Sequence, residues 1–169
     1  MALKEFKQPE IININDFLRL RKYDGRYELF LPGYQNPVVY QNSEGIFDES
    51  RIPNLDYVKG MCTYLAKVGE LYYIEVKEKD TYVPIGDVTV KDKNPPIAIW
   101  VDTYRSKGIG KLVMQTVIDR LKGLGFEKIT GSTVYQWNIA SQKLHEGLGF
   151  CKAAEDEKEI IYQLELHRK

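Results

Sequence analysis

Between Trp100 and Lys111 an apolar run gives way to the turn Arg105-Ser106-Lys107-Gly108-Ile109-Gly110, and the residue types there suit the binding of an anion. Glycines at i and i+2 remove side chains where a ligand must approach the backbone. The amphipathic segment that starts at Ile109 would aim free N–H groups and the positive end of a helix dipole at the same point. A phosphate or pyrophosphate fits such a cradle. The alternative is a tight strand-to-helix turn whose glycines serve packing alone. A second group, Asn138, Ser141 and His145, falls at i, i+3 and i+7 and so shares one helix face, where the imidazole could donate a proton near neutral pH. Carboxylates that could act as general bases stand at Asp102, at the end of the apolar run, and at Glu75 and Asp87 on neighbouring strands. Shielding by Tyr73 or Trp100 would raise a carboxylate's pKa towards that task, whereas each acid by itself also reads as a surface charge balancing nearby lysines.

The elements that must position these residues follow from hydrophobic periodicity and turn chemistry. Residues 1–16 read as an extended, partly unordered lead-in, and Phe17 to Tyr23 as a strand stopped by Asp24-Gly25. From Arg26 to Arg51, Pro32-Gly33, Asn36-Pro37 and Ser43-Glu44-Gly45 allow only short, interrupted helices. Pro53-Asn54 opens a helix with Leu55, Val58, Cys62, Leu65 and Val68 on one face and Gly69 at its end. Three strands follow, Leu71–Val76, Tyr82–Val90 and Ile97–Val101, as an antiparallel meander. A helix from Ile109 to about Leu124 carries one apolar stripe and leads to a strand over Lys128–Tyr135. That strand–helix–strand order makes the strands ending at Val101 and starting at Lys128 parallel. Asn138 caps a helix over Ile139–Leu148, and Phe150–Ala154 with Glu159–Leu166 form a closing hairpin. The fold class is mixed α/β, a single domain over 1–169 with one central, mostly antiparallel sheet that contains one parallel, splayed strand pair, and flanking helices.

Composition narrows the function. Lysine plus arginine equals aspartate plus glutamate at 24 each, so no global field draws the protein to nucleic acid or an anionic membrane. Cys62 and Cys151 sit beside apolar neighbours without metal-ligand spacing, which reads as buried reduced thiols, no metal, and a cytoplasmic protein. The charged N-terminus lacks the apolar segment of a signal peptide.

The order of elements, with the glycine turn after the third strand of a meander, resembles the GNAT superfamily of acyl-CoA-dependent N-acetyltransferases. Arg105-Ser106-Lys107-Gly108-Ile109-Gly110 matches that family's pyrophosphate motif, R/Q-x-x-G-x-G/A, at every defined position. Asn138 to Phe150 is similar to its second signature, an Asn-initiated helix ending in Gly-Phe. Asn-x-x-Ser and Ile-Trp-Val-Asp lean towards the branch that includes ribosomal-protein N-terminal acetyltransferases and some aminoglycoside acetyltransferases.

The resemblance implies an acetyl-CoA-dependent enzyme that moves an acetyl group to a primary amine by direct transfer in a ternary complex, acting as a monomer or homodimer. On this reading the N–H groups of Ser106, Lys107, Gly108, Ile109, Gly110 and Lys111 cradle the pyrophosphate of CoA, with Arg105, Lys107 and Lys111 adding charge. The strand Ile99-Trp100-Val101 splays from Thr133-Val134-Tyr135 to admit the pantetheine arm, and a backbone N–H near Trp100 or Val101 polarises the thioester. Asn138 and Ser141 line the cofactor groove. His145 stands where many members carry the tyrosine that protonates the leaving thiolate, and Asp102 or Glu75 serves as general base. Tyr135 and Trp137 shape the acceptor pocket. The segment Tyr27–Tyr64 supplies another wall, whose acids Glu44, Asp48, Glu49 and Asp56 suit a cationic amine. The acceptor could be a small molecule, an aminoglycoside or polyamine, or a protein N-terminus. The competing reading is a non-catalytic acyl-CoA-binding or sensing module of the same fold.

Overall fold

The computed structural model describes residues 3–166. Its first sheet has five antiparallel strands in chain order: β1 (Ile11–Asn13), β2 (Leu18–Lys22), β3 (Glu70–Glu78), β4 (Thr81–Val90) and β5 (Ile97–Ile99). Met1 and Ala2 lie outside the described residues. The rest of the lead-in is a 3-10 turn at Leu3–Glu5 followed by β1, which is tied to the sheet by pairing Ile12 with Leu20.

Between β2 and β3 run α1 (Leu31–Tyr34), α2 (Pro37–Glu44) and α3 (Leu55–Val68), with 3-10 turns at Tyr27–Phe30 and Glu49–Arg51. The short, interrupted helices expected from the Pro and Gly spacing are these. The limits of α3 coincide with those read from the sequence, because Asn54 caps it by accepting from the Tyr57 N–H at 2.9 Å. Val58, Cys62 and Leu65 face inward from α3 against one side of the sheet. They join a cluster with Phe30, Tyr34, Tyr73 and Trp100.

Strand alternation sends Tyr72, Ile74 and Val76 to the opposite side of the sheet. There α4 (Ile109–Gly123) delivers Val113, Met114, Val117, Ile118 and Leu121 to a second, larger core. Arg120 of α4 pairs with the buried carboxylate of Glu70 on β3 at 2.8 Å, fixing the helix against the sheet.

The remaining chain, β6 (Lys128–Tyr135), α5 (Ile139–Gly147), β7 (Cys151–Glu155) and β8 (Glu159–Glu165), forms a three-stranded sheet in the order β6-β8-β7. The mixed α/β class, the mostly antiparallel pairing and the flanking helices are those expected. The splayed parallel pair is expected too, but it parts so far that the one central sheet divides into two. β5 ends at Ile99, and the parallel junction with β6 is reduced to one bridge, Lys93 to Thr130. Past that bridge the two sheets part. A second correction concerns Cys151, which is exposed at the start of β7 rather than buried; Cys62 is buried as expected. Among the described residues no helix is long and apolar enough to cross a membrane.

Candidate active site

The parting of β5 from β6 creates the site. Its closed end is pinned by the loop between β4 and β5: the Asn94 N–H donates to Thr130 O at 2.8 Å, the Thr130 N–H to Asp92 O at 2.9 Å, and the Thr133 N–H to the Asn94 side chain at 3.1 Å. Beyond Thr133 no ladder remains, and a cleft of about 430 Å³ opens. Pro96 and Ile97 line one side of it, Thr133 and Tyr135 the other, with Asn138, Ser141 and His145 of α5 at one end and Tyr34, Glu44, Met61 and Leu65 from the helical segment covering it.

The glycine turn lies beside this cleft. Ser106 (φ 61°) and Gly108 (φ 81°) both adopt the left-handed conformation, which turns successive N–H groups to one side. Among the described residues none of the N–H groups from Ser106 to Lys111 has an acceptor, and the first to be used is that of Leu112, which donates to Gly108 O at 3.2 Å. A Cβ built on Gly110 would rest 3.8 Å from Leu144, so the start of α4 abuts α5 within a turn of Ser141 and His145. A row of unpaired donors at a helix start is what an anion completes. Arg105 is occupied differently from expectation. Its Nε donates to Ile99 O at 3.1 Å and its Nη2 to Trp100 O at 3.3 Å, so the guanidinium closes off the strand end. The Trp100 N–H donates to Ile85 O at 2.7 Å, whereas the neighbouring Val101 N–H has no partner among the described residues.

On α5, Asn138 caps the helix by accepting from the Ser141 N–H at 3.2 Å. His145 is a core residue: it is 5% exposed, stacks on Tyr162 at 5.3 Å, and its Nδ1 lies 2.7 Å from Ser141 O. A carbonyl requires a donor, so Nδ1 carries the hydrogen. Burial holds the pKa of the ring below the usual histidine range, which leaves a neutral imidazole at physiological pH in place of a ready imidazolium acid.

Two of the carboxylates expected as bases are engaged by other side chains. Both oxygens of buried Glu75 are taken by arginines of β2, Arg19 Nε at 2.7 Å and Arg21 Nε at 2.8 Å. Asp102 is held by the Asn36 amide at 2.9 Å and by Arg105, and these hydrogen bonds lower its pKa. With a side chain 69% exposed, it is a solvated ion-pair partner. A third carboxylate, Asp87 on β4, is buried like Glu75. It is 1% exposed, and its Oδ1 accepts from Trp100 Nε1 at 2.8 Å and from the Tyr34 hydroxyl at 2.9 Å, while Oδ2 has no partner among the described residues. Burial pushes its pKa up to about 7, against the downward pull of those two donors. Tyr34, which lines the cleft, connects Asp87 to it. Periodicity could place Asp87 on a strand beside Glu75 and offered no means of ranking the two.

Tyr135 and Trp137 meet at the cleft mouth, their rings stacked 4.5 Å apart. Trp137 packs edge-on against Phe47 at 5.2 Å, and its Nε1 donates to Gln41 O at 3.2 Å. The end of β6 is thus joined to the α2 segment across the opening. Among the described residues no three His, Cys, Asp or Glu side chains converge as metal ligands.

The profile of the Acetyltransferase (GNAT) family matches residues 40–150. No curated protein sequence matches the chain significantly. Among solved structures the chain is similar to a domain from Methanocaldococcus jannaschii DSM 2661, at 25% identity over 89% of this chain and 100% of that one, with a TM-score of 0.75. It also shares the fold of the microcin C7 self-immunity acetyltransferase MccE, in complex with acetyl-CoA and AMP, at 17% identity over 94% and 97% of the two chains and a TM-score of 0.68. RimL, a ribosomal L7/L12 alpha-N-protein acetyltransferase in complex with coenzyme A, matches at 16% identity over 93% and 98%, again with a TM-score of 0.68.

Proposed function

The chain belongs to the Acetyltransferase (GNAT) family, and from that premise we propose that it moves an acetyl group from acetyl-CoA to a primary amine by direct transfer within a ternary complex. The observation that carries this reading is the row of N–H groups from Ser106 to Lys111 without a partner among the described residues, abutting the helix that lines the cleft. These groups, with Lys107 and Lys111, would hold the pyrophosphate of CoA. Asn138 and Ser141 would line its pantetheine arm, and the unpaired Val101 N–H is available to the thioester oxygen.

When bound, acetyl-CoA supplies a thioester carbonyl open to attack by an amine nitrogen, the C–N bond forming as the C–S bond breaks. An ammonium must shed two protons on the way to an amide. We assign one to Asp87: the Tyr34 hydroxyl accepts it from the nitrogen while passing its own hydrogen to Oδ1. The other ends on the departing sulfur. A carboxyl with a pKa near 7 is matched to this exchange at neutral pH.

Purified protein given acetyl-CoA and a panel of primary amines should release free thiol in proportion to acetylamine formed. Tight CoA binding with no turnover on any amine, peptide or aminoglycoside would favour the non-catalytic acyl-CoA-binding module instead.

A further inference from the structure

The walls of the cleft carry information about the acceptor. Among its lining residues stands one carboxylate, Glu44, and no lysine or arginine. Glu44 is the last residue of α2, where the negative end of the helix dipole adds to its charge. The next residue, Gly45, turns at φ 67° with Tyr135 packed against it: a Cβ there would lie 2.7 Å from the Tyr135 hydroxyl. The Tyr57 hydroxyl donates to Glu44 Oε1. Trp137 grips the same helix through Gln41 O, with Phe47 against its ring. Glu44 is therefore held from α3, from β6 and by its own turn, and its charge is felt at Asp87, Tyr34 and Tyr135. Beside it, Tyr135, Trp137, Phe47 and Tyr57 offer an aromatic surface of which Phe47 is 61% and Trp137 39% exposed.

Resting on the acetyltransferase reading, we propose that the acceptor is a small cationic amine with an aromatic or apolar body and no carboxylate beside its nitrogen, its ammonium held by Glu44 and its body laid against the Tyr135–Trp137–Phe47 surface. The ammonium, the form that dominates at neutral pH, finds in Glu44 an opposite charge in a partly buried place. Aromatic faces suit both a cation and a ring. An α-amino acid brings a carboxylate into a cleft whose described lining residues include one anion and no cation, and like charges so placed are strongly disfavoured. The cleft volume of about 430 Å³, shared with the acetyl end of the donor, suits a small acceptor.

The test pairs amines with their carboxylated counterparts, tyramine with tyrosine and phenethylamine with phenylalanine, against peptide N-termini and an aminoglycoside. The expected kcat/KM for each amine exceeds that of its amino acid by about 100-fold or more. Glu44→Gln, which keeps the shape and an acceptor for Tyr57, should raise KM for tyramine about tenfold with little change in kcat. Glu44→Lys should reverse the preference within each pair. Calorimetric titration separates the two levels of the argument. CoA titrated alone tests the donor site, and its failure to bind would sink the acetyltransferase reading. Tyramine titrated alone, bound by the wild type and lost in Glu44→Gln, supports the proposal whether or not turnover is seen. Equal use of amine and amino acid, a preferred peptide or aminoglycoside, or tyramine binding indifferent to Glu44→Gln overturns it.

Discussion

The indole Nε1–H of Trp100 donates to Oδ1 of Asp87 at 2.8 Å, so the residue that ends the splayed strand holds the one fully buried carboxyl on the neighbouring strand β4. The Tyr34 hydroxyl donates to the same oxygen at 2.9 Å. With Oδ1 doubly occupied and Oδ2 without a partner among the described residues, Asp87 is fixed in place yet poorly solvated as an anion. That combination gives a carboxyl poised to gain or lose a proton near neutrality.

Asp87→Asn keeps an acceptor for both donors and removes the titration. It should lower kcat by about 100-fold or more, the range typical of a lost general base. In the wild type kcat/KM should climb as pH rises through about 7, where Asp87 ionises, and this limb should be missing in the variant. A wild-type limb that survives unchanged in Asp87→Asn would assign the base elsewhere.

Stability should depend on pH in two opposed ways. The raised pKa of Asp87 means that the native carboxyl keeps its proton between about 4 and 7, where the unfolded chain has lost it. The stabilisation is complete below the unfolded pKa and disappears as pH rises through about 7, up to about 4 kcal/mol at about 1.4 kcal/mol per unit. The lowered pKa of His145 has the other sign: its contribution is present above the unfolded value of 6.5 and lost as pH falls below it. Thermal melts should find Asp87→Asn gaining on the wild type from pH 5 to 8, and His145→Gln gaining on it from pH 7 to 5. Parallel profiles for all three proteins would contradict both assignments.

Gly108→Ala meets no atom within 4 Å, so its effect isolates the backbone conformation at φ 81°. A stability loss of about 1 kcal/mol follows from forcing a side chain into the left-handed region. Because the same turn aims the free N–H groups, CoA affinity measured by calorimetry should fall severalfold in step. An unchanged affinity would separate the turn from the donor.

Glu75→Gln strips the charge that Arg19 and Arg21 share across β2 and β3, leaving two guanidinium groups 24% and 29% exposed without it. Their partial access to water tempers the cost to about 2 kcal/mol, below that of breaking a fully buried pair. The lower melting temperature should come with a kcat within about threefold of wild type, against the hundredfold or more of a lost base. A collapse of kcat at unchanged stability would restore Glu75 as a base.

Local features carried most of the order of elements. The helix from Leu55 to Val68 is legible because Asn54 caps it and its apolar residues recur at three- and four-residue steps, and the phosphate-type turn is legible because glycine, serine and the following apolar stripe act over a few residues. Asp87 and Glu75 show the limit of such reading. They occupy equivalent strand surroundings in sequence, yet one is buried under Trp100 and Tyr34 and the other is neutralised by Arg19 and Arg21, partners 53 and 13 or 56 and 54 residues distant. His145 likewise sits on the expected helix face, but its burial against Phe150 and Tyr162 decides that it is neutral.

The sequence by itself determined the family motifs, the α/β order and the turn where an anion would bind, since each is written in neighbouring residues through capping, periodicity and backbone conformation. The tertiary structure alone decided where the sheet opens, which carboxyl can hold a proton near pH 7 and which charge faces the cleft. Those properties depend on desolvation and on partners brought from distant parts of the chain, and no local spacing records them.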